Sequence, residues 1–186
     1  MRIIFIRHGM TAGNLEKRYI GLTDEPLCQA GEEALKAVEY PSADVVICSP
    51  MKRCTASAEI IYPGIRPVLI PSLRECSFGE FEGKNYKELS GDLRYQQWID
   101  SGGEGAFPGG ELPEDFRRRC CQGFIEAAES FSEYGSLAFV VHGGTIMSVL
   151  SRYAVPHRDY FQWHCENGRG YVCCWDGKKI TDTESL

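Results

Sequence analysis

His8 and His142 are the side chains in this sequence best placed to do chemistry together. Each follows a short apolar run, Ile3-Ile4-Phe5-Ile6 before the first and Leu137 to Val141 before the second. Each is followed by glycine, as His8-Gly9 and His142-Gly143-Gly144. Apolar runs of this kind read as strands buried on both faces of a parallel sheet. Ligands of open α/β sheets bind in the crevice outside the carboxyl ends of such strands. Two of these strands can therefore deliver two imidazoles to one crevice. Arg7 puts a guanidinium directly beside His8, and Arg53, in Ser49-Pro50-Met51-Lys52-Arg53, supplies another one turn into a helix that begins at a strand's end. The guanidinium's planar fork of donors matches phosphate oxygens. Glu75, in Leu73-Arg74-Glu75, follows a further strand-like run and is placed to point into the same crevice.

Taken one at a time, each residue has a plainer reading: a structural histidine at a turn, a solvated arginine, a surface glutamate. Taken together they have a chemical logic. Two arginines gather a dianionic phosphoryl group, one histidine attacks phosphorus, and a carboxylic acid protonates the departing oxygen. Neutral imidazole is a good nucleophile near its ordinary pKa of about 6.5. Phosphoryl transfer asks mainly for in-line positioning and for donors on the equatorial oxygens. With the arginines and a second imidazolium supplying positive charge, no metal is required. The sequence also contains no Asp-rich cluster and no His-x-x-x-His spacing.

The elements that must position these groups follow from periodicity. Strands are expected at Arg2 to Ile6, Ala43 to Cys48, Arg66 to Ile70, Leu137 to Val141 and Gly170 to Trp175, with a weaker one at Lys178 to Thr183. Helical spacing appears over Ala30 to Tyr40, Met51 to Ile61, Leu112 to Tyr134 and Thr145 to Tyr153. Ser49 is expected to cap the second of these, with Pro50 in its first turn. In the third, Phe116, Cys120, Phe124, Ala127, Ala128 and Phe131 share one face. Alternating strands and helices predict a three-layer α/β/α sandwich around a mostly parallel sheet. Asp176-Gly177 predicts a closing hairpin and hence an antiparallel edge strand. The stretch 76–113 is rich in Gly, Glu and aromatics. It reads as a lid-like insertion, partly helical around Asp92 to Ser101, within a single domain spanning 1–186.

Composition bounds the rest. The chain has 186 residues, 43% hydrophobic and 25% charged, which suits one globular domain with a substantial core. No run approaches the ~18 to 20 apolar residues that cross a membrane, and the charged amino-terminal strand is unlike a signal peptide. These features predict a cytoplasmic protein, monomer or homodimer, without membrane partners. A net charge of −6 argues against broad nucleic-acid binding, so an anionic ligand would depend on locally gathered arginines. The nine cysteines are odd in number and include no Cys-x-x-Cys. They read as small buried hydrophobes in a reducing compartment. Adjacent strand residues face opposite ways, so Cys173 and Cys174 would not share a site.

The order of motifs carries a resemblance. Arg7-His8-Gly9-Met10-Thr11-Ala12-Gly13-Asn14 resembles the signature of the histidine phosphatase superfamily, the phosphoglycerate mutase-like group. The likeness continues through Arg18, Gly21, Asp24-Glu25-Pro26-Leu27, Ser49-Pro50 with Arg53, and Leu73-Arg74-Glu75. It resumes at Phe78-Gly79-Glu80-Phe81-Glu82-Gly83, Pro108-Gly109-Gly110-Glu111 and His142-Gly143-Gly144, and extends to Asn167-Gly168. An Arg-His-Gly tripeptide alone is weak; the ordered set is specific. The resemblance implies that His8 is the phosphorylated nucleophile and that Arg7, Arg53 and His142 form the phosphate pocket. It makes Asn14 and a backbone amide near Gly143 additional donors. Glu75 would be the proton donor to the leaving group, and then the base for attacking water, in two displacements that the resemblance implies need no metal and no organic cofactor.

Two departures stand out. Cys28 follows Pro26-Leu27 where the family usually has threonine, a better N-cap, at a cost of roughly 0.5 to 2 kcal/mol to that helix. Leu112 follows Glu111 where relatives commonly carry serine. The Phe-Gly-Glu-Phe-Glu-Gly stretch resembles the phosphatase form. A phosphomonoesterase of small phosphorylated metabolites is therefore implied, with α-ribazole 5′-phosphate, as in α-ribazole phosphatases, the leading single substrate. A phosphoglycerate mutase and a non-catalytic phospholigand-binding domain stand as the alternatives.

Overall fold

β1 (Arg2–Arg7) lies inside the sheet because it is apolar on both faces: Ile3, Ile4, Phe5 and Ile6 are all fully buried. The structure, a computed structural model, describes residues 1–103 and 105–186. Glu104, within the expected insertion, lies outside the described residues.

The other strands are β2 (Val45–Cys48), β3 (Val68–Leu69), β4 (Ser136–Val141), β5 (Gly170–Trp175) and β6 (Ile180–Ser185). They form one sheet in the order β3-β2-β4-β1-β5-β6. The pairs β3–β2, β2–β4 and β4–β1 are parallel, whereas β1–β5 and β5–β6 are antiparallel. The reversed strand is thus β5, one in from the edge, and β6 runs back along it. The predicted hairpin forms at Asp176, whose carboxylate accepts from the Lys178 and Lys179 amides, with Gly177 at positive φ. Its second strand starts two residues later than expected, because the turn takes up Lys178 and Lys179 as well.

The helices are α1 (Ala12–Leu15), α2 (Gln29–Lys36), α3 (Lys52–Ile61), α4 (Leu93–Asp100), α5 (Pro113–Ser130) and α6 (Gly143–Tyr153). Strand alternation splits the core in two. Ile3, Phe5, Ile47 and Phe139 pack with Phe124 of α5 and Ile146, Val149 and Leu150 of α6. Ile4, Ile6, Val46 and Val140 pack on the other face with Cys54 and Ala58 of α3. Full burial of each such side chain is worth ~1.5–3 kcal/mol against exposure. Among the described residues no helix is long and apolar enough to cross a membrane.

The sequence expectations hold for element type and err at the ends. The β3 region shrinks to two residues, and α2 stops four residues short of Tyr40. Ser49 does not cap α3: the N-cap position is Met51, and the carboxylate of Asp24, from a distant loop, accepts from the Lys52 amide at 2.7 Å. Cys28 stands at the N-cap of α2 without a side-chain cap bond. The short helix α1 was not expected; Thr11 and Asn14 close its first turn as a reciprocal capping box. The expected helix around Asp92 to Ser101 is α4, capped by Asp92. The surrounding stretch has an apolar cluster of its own, in which Cys76, Phe81, Leu89, Tyr95 and Phe107 meet Phe116 and Cys120 of α5.

Candidate active site

Parallel pairing of β1 with β4 places Arg7 opposite Val141, so the next residues, His8 and His142, leave the sheet side by side. Their rings lie 5.2 Å apart, edge to face, and both are buried. His8 Nδ1 is 2.7 Å from the Gly9 carbonyl oxygen. A carbonyl only accepts, so Nδ1 carries the proton and Nε2 keeps its lone pair. The Gly9 peptide is held from both ends: its amide donates to Ser57 Oγ at 2.9 Å, and its carbonyl also accepts from Asn167 Nδ2 at 3.4 Å. Burial, and then the positive charge of Arg53, hold the His8 pKa well below 6.5. The ring is therefore neutral near pH 7.

His142 occupies the N-cap position of α6, and its Nε2 lies 2.8 Å from Ser49 Oγ. Burial, then Arg53 and His8, push its pKa well below 6.5 too. The second imidazolium expected from the sequence is thus a neutral ring. The cations of the site are the two guanidiniums.

Arg53 is fully buried on α3. Its Nη1 donates to the Thr23 carbonyl and its Nη2 to the Gly21 carbonyl, both at 2.8 Å, while Nε has no partner. Arg7 donates from Nη1 to the Cys165 carbonyl at 2.8 Å, and its buried Nε is likewise unpartnered. Among the described residues no carboxylate forms an ion pair with either. Unpaired buried charge is costly. The buried guanidinium of Arg53 thus carries a charge that no described carboxylate pairs with.

Glu75 follows the 3-10 turn Pro71–Leu73, which leads out of β3. One oxygen accepts from the Cys76 amide at 2.9 Å, and the nearby Gly144 amide at the start of α6 also favours the charged carboxylate. Gly144 permits that approach, since a Cβ there would collide with Glu75 Oε1. Burial raises the Glu75 pKa, against the opposing pull of these amides and of Arg53 and Arg7. Arg119 fixes the strand-end loop by donating to the carbonyls of Ser72, Arg74 and Glu75, and it is itself held by both oxygens of Glu111 at 2.7 Å. Gly143 lies against Arg7. Asn14 turns its Oδ1 to the Thr11 amide and to Asn167 Nδ2.

Beside these groups opens a cavity of about 240 Å³. Arg7, Glu75, Gly143 and Gly144 form its floor. Tyr19, Phe78, Trp98, Phe107, Tyr160 and Phe161 form much of its wall. Three of these six belong to 76–113. The tertiary structure thus joins His8, His142, Arg7, Arg53 and Glu75 electrostatically and spatially, with Asn14 linked to the His8 carbonyl by two hydrogen bonds through Asn167. Ser49, Ser57, Glu111, Arg119 and His164, whose Nε2 lies 3.5 Å from Arg7 Nη1, carry no signal in the sequence that marks them as site residues. Ser57 and Arg119 lie at helical spacing from Arg53 and Asp115 respectively, which gives no hint of their contacts.

The family model of the histidine phosphatase superfamily, branch 1, matches residues 3–183. The adenosylcobalamin/α-ribazole phosphatase of Salmonella typhimurium is 26% identical over 98% of this chain and 92% of its own length. The crystal structure of the α-ribazole phosphatase from Shigella flexneri superposes with a TM-score of 0.86 at 24% identity, over 97% of this chain and 94% of that one. A phosphoglycerate mutase structure from Thermus thermophilus superposes at 0.77 with 28% identity, over 100% and 99%. The chain belongs to the histidine phosphatase superfamily, branch 1, and is an enzyme of the phosphatase class.

Proposed function

We propose that this enzyme hydrolyses phosphomonoesters of small metabolites through a phosphohistidine on His8. The observation that carries the reading is the pairing of two guanidiniums, Arg53 fully buried and Arg7 half-buried, each with a buried unpartnered Nε, with a neutral imidazole whose Nδ1 is committed to a carbonyl. The Nε2 lone pair of His8 forms the N–P bond as the P–O ester bond breaks. The departing oxygen takes its proton from the carboxylic acid of Glu75, whose raised pKa favours that form. Water then attacks phosphorus and gives its proton to the Glu75 carboxylate. The N–P bond breaks, and its electron pair returns to Nε2. Arg7 and Arg53 stabilise the phosphoryl oxygens, and His142, Asn14 and the α6 terminus at Gly143 complete the donors. A helix N-terminus suits an anion.

The aromatic wall of the cavity supports a leaving group with a flat apolar part. The relatives named above make α-ribazole 5′-phosphate the first substrate to test. We read residues 1–186 as one catalytic domain with 76–113 as a lid-like insertion. The largely buried free thiols fit a reducing, cytoplasmic setting.

The decisive experiment is rapid acid-free quenching of the enzyme with radiolabelled substrate. An acid-labile, base-stable phosphoenzyme is expected in wild-type protein and none in His8→Ala, which should lose at least about a thousandfold in kcat. Turnover by His8→Ala near the wild-type rate would remove the nucleophile. Conversion of 3-phosphoglycerate to its 2-isomer faster than phosphate release would favour the mutase alternative.

A further inference from the structure

Among the described residues Arg53 reaches no carboxylate directly, yet the loop that holds it is gripped by one. The two carbonyls that accept from its guanidinium belong to Gly21 and Thr23. The amides of those same two residues both donate to Glu82 Oε1, at 2.7 and 2.9 Å. The other oxygen of Glu82 accepts from the Phe78 amide at 3.3 Å. Phe78 is part of the aromatic wall, and its ring meets Phe107 edge to face at 4.9 Å. Gly21 sits so close to this region that a Cβ would overlap the Cys76 carbonyl oxygen and crowd Phe78 and Glu82. One carboxylate therefore spans the wall of the leaving-group cavity and the loop that cradles the buried arginine.

We propose that Glu82 is a positioning residue that holds Arg53 in its anion-binding pose through loop 21–23 and ties that pose to the aromatic wall. It touches neither substrate nor reacting atoms. The physical basis is that carboxylate-to-amide bonds are charge-assisted and stronger than neutral ones, and that two of them fix a short loop without secondary structure. Losing them frees the Gly21 and Thr23 carbonyls to move, and the guanidinium with them. Since Arg53 contacts the phosphoryl group in ground state and transition state alike, its misplacement should act as a loss of uniform binding.

This inference rests on the phosphate-pocket reading, and its test separates the two. Inhibition by inorganic phosphate and steady-state kinetics on p-nitrophenyl phosphate are measured for wild type, Glu82→Ala, Glu82→Gln and Glu80→Ala. Glu80 lies on the same stretch, but its ion pair is with exposed Arg94. In Glu82→Ala the phosphate Ki and the KM should rise about tenfold, with kcat falling no more than about threefold. Glu82→Gln keeps a weaker acceptor and should raise Ki about threefold. Glu80→Ala should leave Ki unchanged. If Glu82→Ala does not fold, the Glu82→Gln value decides, and an unchanged Ki there overturns the proposal. Equal weakening in Glu80→Ala would also overturn it, by showing a general loosening of the stretch. Failure of wild-type enzyme to bind phosphate would bring down the pocket reading and this inference together. Wild-type binding with unaltered variants would bring down the inference alone.

Discussion

At the scale of single residues, the proposed mechanism depends on protonation states set before substrate arrives. His8 can attack only as neutral imidazole, and burial beside two guanidiniums keeps it so. Glu75 can act first as an acid only if it holds a proton, and burial raises its pKa toward that end. Glu75→Gln should therefore slow alkyl phosphates, whose leaving groups need a proton, by about a hundredfold or more. It should slow p-nitrophenyl phosphate by less than about tenfold in the same kcat/KM comparison. Equal losses on both would contradict its acid role. The histidines also make stability depend on pH. Their native pKa values are depressed below 6.5, so the unfolded chain binds more protons once pH falls beneath that value. Stability should decline as pH drops from 6.5, and urea midpoints should show a shallower decline for His8→Gln. Glu75 acts in the opposite sense below its raised pKa, because the native state binds the extra proton there. That contribution is common to both proteins and cancels in the comparison.

At the scale of elements, the sheet register decides which groups meet. A parallel pair in step brings two strand ends level, so His8 and His142 need no special device beyond β1 and β4. The helices are less uniformly well made. The N-cap of α2 is Cys28, in extended backbone suited to a cap and with no side-chain bond to the helix. Cys28→Thr should raise stability by about 1 kcal/mol in denaturant unfolding, without altering kcat. No gain would mean that the first-turn amides already have other partners. Helix α3 shows the alternative solution, in which Asp24 from a remote loop serves the first amide.

At the scale of the whole molecule, the proposed preference for a leaving group rests on the stretch 76–113. Its aromatics close one side of the cavity while Tyr160 and Phe161, from near the other end of the chain, close another. Trp98→Ala should raise KM for esters with planar aromatic leaving groups by about tenfold and leave phosphate inhibition within about twofold. A like change for small alkyl phosphates would show that Trp98 supports the fold of the stretch rather than contacting the leaving group. In the proposed reading, specificity and phosphate capture are built from different parts of the chain, meeting at Glu75.

Much of this was legible in the linear chain. Apolar runs ending in His-Gly announce buried strands with chemistry at their ends, because a strand buried on both faces leaves no other pattern. The ordered motifs from Arg7 to His142 marked the proposed acid, the proposed nucleophile and the cations. What the chain could not announce were contacts between segments far apart in sequence, since periodicity records only neighbours. Ser49 looked like a cap and instead meets His142, and α1 was hidden because four residues are too few to show a helical period. The charge on His142, the grip of Arg119 on the Glu75 loop and that of Glu82 on the Arg53 loop were likewise invisible. Local sequence determined which residues could react. Only tertiary packing, by removing water and fixing distances, decided which protonation state each would hold and what would hold it in place.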